Sequence, residues 1–141
     1  MAHKIQTGNN GEIILDIKKI KDIVCLQISK GNSTEKNNIL TFNREQTIQL
    51  NAIIQGIDAG NLILKEYGNV QVGNQIFKVC VSAFRGIKSF QIRERLISNT
   101  YSGYGKQWVT LPTYKIKELQ GHMSGIVQEF SISTFINKLD I

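Results

Sequence analysis

The chain matches itself. Displaced by 64 residues, Asn10 falls on Asn74, Ile13 on Phe77, Leu15 on Val79, Ile17 on Val81, Ile20 on Phe84, Lys21 on Arg85, Leu26 on Phe90, Gln27 on Gln91 and Ile28 on Ile92. After a loop the displacement becomes 69, and Leu40 falls on Val109, Thr41 on Thr110, Phe42 on Leu111, Leu50 on Leu119, Gly56 on Gly125 and Ile57 on Ile126. Apolar meets apolar almost throughout. Such a duplication constrains the fold more than any local motif, because whatever one copy folds into, the other must fold into as well. At 141 residues the chain has room for one domain, or for two small units on one core.

Each copy reads the same way. Ile13, Leu15 and Ile17 alternate with Ile14, Asp16 and Lys18, and Val24, Leu26 and Ile28 alternate with Cys25, Gln27 and Ser29, which is the period of two half-buried strands joined by a short turn. Ile39–Phe42 is another short strand, and at Asn43 the period changes to that of a helix, with Asn43 and Gln46 in capping-box spacing and Thr47, Leu50, Ile54 and Ile57 on one stripe. In the second copy the strands are Phe77–Phe84, Lys88–Leu96 and Trp108–Leu111, Pro112 stands where a helix begins, and Ile116, Leu119, Met123 and Ile126 form the stripe. A further strand fits into the loop of each copy, for example within Ser98–Gln107. The expected fold class is therefore α+β, two tandem repeats of antiparallel strands followed by a helix (ββββα twice), each sheet with one open face. Repeat one spans about 10–57, a linker about 58–69, in which LILKEYG suits helix or strand, repeat two about 72–127, and a C-terminal extension 128–141.

The net charge of +6 is concentrated in the second copy. Between Val72 and Trp108 stand Lys78, Arg85, Lys88, Arg93, Arg95 and Lys106 against Glu94 alone. Alternation turns Phe77, Val79, Val81 and Ala83 towards the helix and Lys78, Cys80, Ser82 and Phe84 away from it; on the next strand Ser89, Gln91, Arg93 and Arg95 take the open face. A basic, amide-bearing sheet face with a ring at its margin suits single-stranded nucleic acid, in which cations follow phosphates and rings stack on unpaired bases. Phe84 either meets bases or packs between the copies. Trp108 either stacks or closes the core, and Tyr101 and Tyr104 lie in a glycine-rich loop as further stacking groups.

With those segments in place, the second copy resembles the single-stranded DNA-binding domain of the eukaryotic transcriptional positive cofactor four and its bacterial and phage relatives. The resemblance lies in Phe84-Arg85-Gly86 followed by Ile92-Arg93-Glu94, then the Gly105-Lys106 loop and the Thr110-Leu111-Pro112 junction, and it covers about residues 72–127. Two such units in one chain look like the Whirly arrangement, also found in guide-RNA-binding proteins of kinetoplastid mitochondria. The resemblance implies an intramolecular pseudo-dimer of repeats, further assembly into a homo-oligomer, Phe84 as the stacking aromatic, and Arg93 and Lys106 on the phosphate backbone. The family's aromatic two residues after the Ile-Arg-Glu stretch is Leu96 here, and the basic residue beside its loop lysine is Gln107. The first copy departs further, with Ile20 at the Phe84 position and Ser29 at the Arg93 position, while keeping Lys18, Lys19, Lys21 and Lys30.

Little points to chemistry. His3 stands in a start that reads as disordered, His122 reads as an exposed helical residue, and no carboxylate, Ser or Cys is placed to form a relay with it. Cys25 and Cys80 read as buried reduced thiols, no Cys/His cluster has zinc spacing, and the glycine-rich stretches lack the context of a nucleotide-phosphate loop. No apolar run reaches the length of a membrane span and no secretory leader is visible, so the expectation is an intracellular protein, cytoplasmic, nucleoid or nuclear, without membrane partner. The expected function is non-catalytic binding of single-stranded DNA with low sequence specificity in transcription, replication or recombination, without cofactor or metal. RNA binding or annealing, and a protein-assembly module, are the alternatives.

Overall fold

The computed structural model describes residues 2–8, 11–31, 39–97 and 102–139, with side chains described at all of these except 84, 96, 97, 102–107 and 131–139. The first copy contributes β1 (Ala2–Gly8), β2 (Gly11–Ile20), β3 (Ile23–Lys30), β4 (Ile39–Phe42) and α1 (Arg44–Gln55). The second contributes β5 (Lys65–Val72), β6 (Gln75–Phe84), β7 (Ile87–Ile97), β8 (Ser102–Pro112) and, after a single 3₁₀ turn at Thr113–Lys115, α2 (Ile116–Leu139). Each set of four strands forms one antiparallel meander in chain order. The chain is thus α+β, with two four-stranded sheets and two helices.

The duplication survives in the geometry. The displacement that relates the sequences carries both ends of β2 onto both ends of β6, and the hairpin turns coincide too. Lys21 and Asp22 have φ of 50° and 66°, and Arg85 and Gly86 have 51° and 79°. Positive φ at both central residues makes each a type I′ turn, whose twist matches the strands it joins, and Ile20 pairs with Ile23 as Phe84 pairs with Ile87. Asn43 caps α1 as its spacing predicts: its side chain accepts from the Gln46 amide at 2.8 Å while the Gln46 side chain accepts from the Asn43 amide at 2.9 Å.

Three expectations change. Among the described residues, each copy has an extra strand that leads it. The start that reads as disordered is β1, and β5 takes the end of the segment read as a linker. Both escape a period-two search because each turns only one strong apolar side chain fully inward, Ile5 in β1 and Val70 in β5, both 0% exposed. In the second copy Ser102–Gln107 belongs to β8, a longer version of the expected Trp108–Leu111 strand; the corresponding loop of the first copy, 32–38, lies outside the described residues. The C-terminal extension is not among these changes: its apolar positions suit a continuation of the second helix, and α2 runs on to Leu139.

One core serves both units. Ile5, Leu15, Leu26, Phe42 and Leu50 of the first bury against Val70, Phe77, Phe90, Ile116 and Met123 of the second in a single cluster, with the Phe42 and Phe77 rings 4.7 Å apart. The helices reach across. Gln49 of α1 brackets Gln71 of β5, accepting from its amide at 3.0 Å and donating to its carbonyl at 3.2 Å. Gln120 of α2 donates to the Ile54 and Ile57 carbonyls, satisfying acceptors that the end of α1 leaves open. Gly68 lies at a bulge of β5 where a Cβ would stand 2.9 Å from Ile53 Cδ1, so α1 can approach this strand only because the side chain is missing. Among the described residues no helix is long and apolar enough to cross a membrane.

Candidate nucleic-acid interface

With the helices packed on one side of each sheet, alternation leaves the other side uncovered. On the second sheet the register aligns side chains across strands: Asn69, Lys78, Arg93 and Trp108 form one row, and Glu66, Cys80, Gln91 and Thr110 the next. Ile87, Ser89, Gln91, Arg93, Trp108 and Thr110 line an open groove of about 600 Å³. Its composition is specific: an indole and an isoleucine for apolar contact, an amide and two hydroxyls for hydrogen bonds, and a guanidinium. Trp108 is 38% exposed and Ile87 72%, both high for large apolar side chains.

Trp108 is held by cations from both units. The Arg93 guanidinium carbon, from the directly paired position on β7, is 5.7 Å from the ring centroid. The Lys30 ammonium, from the end of β3, is 4.9 Å from it. Burial pushes the Lys30 ammonium below the usual lysine range. Lys78 forms a close ion pair with Glu66 across the β5–β6 ladder.

The remaining predicted residues fall in different places. Arg95 is exposed on the same face opposite Ile76, Arg85 is exposed in its turn, and Gln91 lines the groove. Lys88 does not share that face: it pairs with Ala83 on the helix side, at a hairpin tip where the core has run out and both side chains are exposed. Phe84 ends β6 opposite Ile87, and Tyr104 and Lys106 are in β8, but the side chains of these three are outside the described set, as is all of Tyr101. Lys18 is in β2 of the first sheet and Lys21 in the hairpin turn that follows it, at the end opposite Lys30. Ile87 and Thr110, which sequence reasoning did not select, were legible in the same alternation that chose Gln91 and Arg93. Lys30 was not, because alternation assigns it to the inward face of its own sheet.

A second cluster was misread from the sequence. His3 and His122 are both half-buried and meet across the units, Nδ1 to Nδ1 at 2.9 Å with the rings edge to face. The outer nitrogen of His3 lies 3.1 Å from Glu129 Oε1, and that of His122 lies 3.8 Å from Glu118 Oε1. His3 is therefore part of β1, and His122 is a packing contact with carboxylates beside it. Among the described residues no group of three or more His, Cys, Asp or Glu is placed to hold a metal ion. The two thiols are buried and unpaired, and burial pushes both up; at Cys80 the Lys78 and Arg93 charges act in the opposite direction. The chain matches no protein-family model and no curated protein.

Proposed function

We propose that this protein binds single-stranded nucleic acid on the open face of its second sheet, with low sequence specificity and without chemistry on the ligand. The observation that carries the reading is the groove around Trp108, where an exposed indole, Ile87 and the amide of Gln91 lie beside the guanidinium of Arg93. Unpaired bases offer flat apolar faces with polar edges and a charged backbone alongside, and this groove offers the matching surface. A duplex hides those faces, so single strands are preferred. Transcription, replication or recombination would each supply such strands. The tandem ββββα plan with helices crossing between units also suits the Whirly-like fold that the sequence resembles, with two units of one chain forming the pair.

The open face of the first sheet favours a second reading for that half. Ile23 at its hairpin tip is 59% exposed, and Ile14 and Ile39 lie half-buried on the same side, so this face suits contact with protein better than with phosphate. The test is titration of oligo-dT, matched RNA and duplex DNA at several salt concentrations. If four or five phosphates are neutralised, log affinity falls against log salt with a slope of roughly −3. Tighter RNA binding transfers the reading to RNA; failure of every oligonucleotide at low salt, with a stable oligomer in solution, replaces it by assembly.

A further inference from the structure

Among the described residues of its own unit, the Lys30 ammonium has no ion-pair partner that explains its position. It ends β3 on the inward face, in the cross-strand row of Ile13 and Ile5 at the margin of the core, and its side chain extends to the edge strand of the other sheet, where its ammonium lies over the Trp108 ring. A lysine at a strand end ordinarily turns its head group to water. Here part of that hydration is given up, as the lowered proton affinity indicates, and an indole is only a partial substitute. Lys30 and Thr110 also line the neighbouring cleft of about 520 Å³, and Thr110 lines the Trp108 groove as well, so the ammonium stands where the two openings adjoin.

We infer that Lys30 is a ligand-contacting residue lent by the first unit: its ammonium rests on Trp108 in the free protein and passes to a backbone phosphate when a base takes its place on the ring. The inference rests on the nucleic-acid reading above and adds that the site is composite. Three features make the exchange favourable. A phosphate is a stronger partner for an ammonium than an indole is. The partly desolvated head group loses less water on transfer than an exposed lysine would. Arg93, on the paired position of β7, already holds the other unit's charge at the same ring. The first copy would then contribute through the end of one strand, while its open face stays out of the path.

The chain has a single tryptophan, so its emission reports on this ring alone. Oligo-dT is titrated into the full chain and into Lys30→Met and Lys30→Arg, with binding followed by anisotropy of a labelled oligonucleotide and by Trp108 emission. Methionine keeps an apolar stem and removes the charge. The expected result is a severalfold loss of affinity for Lys30→Met, a salt slope shallower by about 0.7, and restoration of both by Lys30→Arg. An altered Trp108 emission spectrum in free Lys30→Met accompanies it, because the ammonium has left the ring. If Lys30→Met binds with the parental slope while Trp108→Ala binds weakly, the groove stands and Lys30 is excluded from it. If neither substitution changes binding, the groove reading fails and the role of Lys30 with it.

Discussion

The two open sheet faces occupy equivalent positions in a duplicated fold and carry opposite kinds of surface. Where the second has Lys78, Arg93 and Trp108, the first has Ile14, Ser29 and Ile39 at the matching places. The second face sets Lys78, Arg93 and Arg95 against Glu66; the first sets Lys4 and Lys18 against Glu12 and Asp16. The inward faces have not diverged in this way: Leu15 and Val79, Leu26 and Phe90, Leu50 and Leu119 are pairs of buried apolar residues. Packing holds the core positions to one chemistry, since changes of volume there cost stability. The uncovered positions are released from that constraint, and it is there that the copies differ in chemistry.

The largest expected effect separates the faces directly. Trp108→Ala should weaken oligonucleotide binding by about 1–3 kcal/mol if a base stacks on the indole. Its counterpart in the duplication, Ile39→Ala, should leave affinity within experimental error. Anisotropy titrations of both variants decide it; equal losses would mean that the faces share the ligand, and the comparison would break.

Next comes the junction that allows two different faces to ride on one core. Gly68→Ala places a methyl group 2.9 Å from Ile53 Cδ1, at a position where α1 of the first unit meets β5 of the second. The overpacking should cost about 1–3 kcal/mol in chemical denaturation. Unfolding should remain a single transition if the core is as continuous as it is built; two separated transitions would show units that fold independently.

Much of this arrangement is legible in the amino-acid sequence. The duplication, the hairpins, the capped first helix and the inward stripes follow from periodicities that report burial, and burial is what decides them. Strands β1 and β5 were not, because an edge strand that turns one strong apolar residue inward leaves almost no periodic signal; Ile5 and Val70 are each isolated. The candidate groove was legible to the same extent. Alternation finds Gln91, Arg93 and Lys78, which lie on one sheet, and fails for Lys30, whose partner ring belongs to the other unit. Lys88 shows the converse: its charge would suit the ligand, while its register with Ala83 puts it on the helix side. His3 and His122, 119 residues apart, meet only because α2 crosses to the first sheet.

That crossing gives a smaller, sharper test. His122→Ala removes the 2.9 Å hydrogen bond to His3 and leaves an acceptor or donor of a half-buried imidazole without its partner, an expected loss of about 1 kcal/mol. His3→Ala should cost a similar amount, and the double variant less than the sum, because one contact is being removed twice. Strict additivity in denaturation midpoints would mean that the helix and β1 touch without stabilising one another, and that the pairing of units depends on the apolar core and the glutamine bridges of Gln49 and Gln120.

The smallest effect uses the two thiols as reporters of which face is covered. Cys25 lies on the open face of the first sheet opposite Lys18, and Cys80 on that of the second opposite Gln91, which lines the Trp108 groove. Both are buried and both ionise above the usual thiol range, so alkylation of the folded chain should be slow at neutral pH and rise only at alkaline pH. The sign follows from linkage. The folded state holds these protons more tightly than the unfolded chain, so their contribution to stability is complete below the unfolded thiol pKa and is lost as pH rises through the folded one. At Cys80, Lys78 and Arg93 oppose the effect of burial and favour the thiolate. An oligonucleotide on that face would cover the sulfur and neutralise those charges, both of which slow its reaction, while Cys25 would react at its original rate. Measured by mass spectrometry after timed iodoacetamide treatment with and without oligo-dT, selective protection of Cys80 assigns the ligand to the second sheet; equal protection of both thiols would extend the interface across the pair.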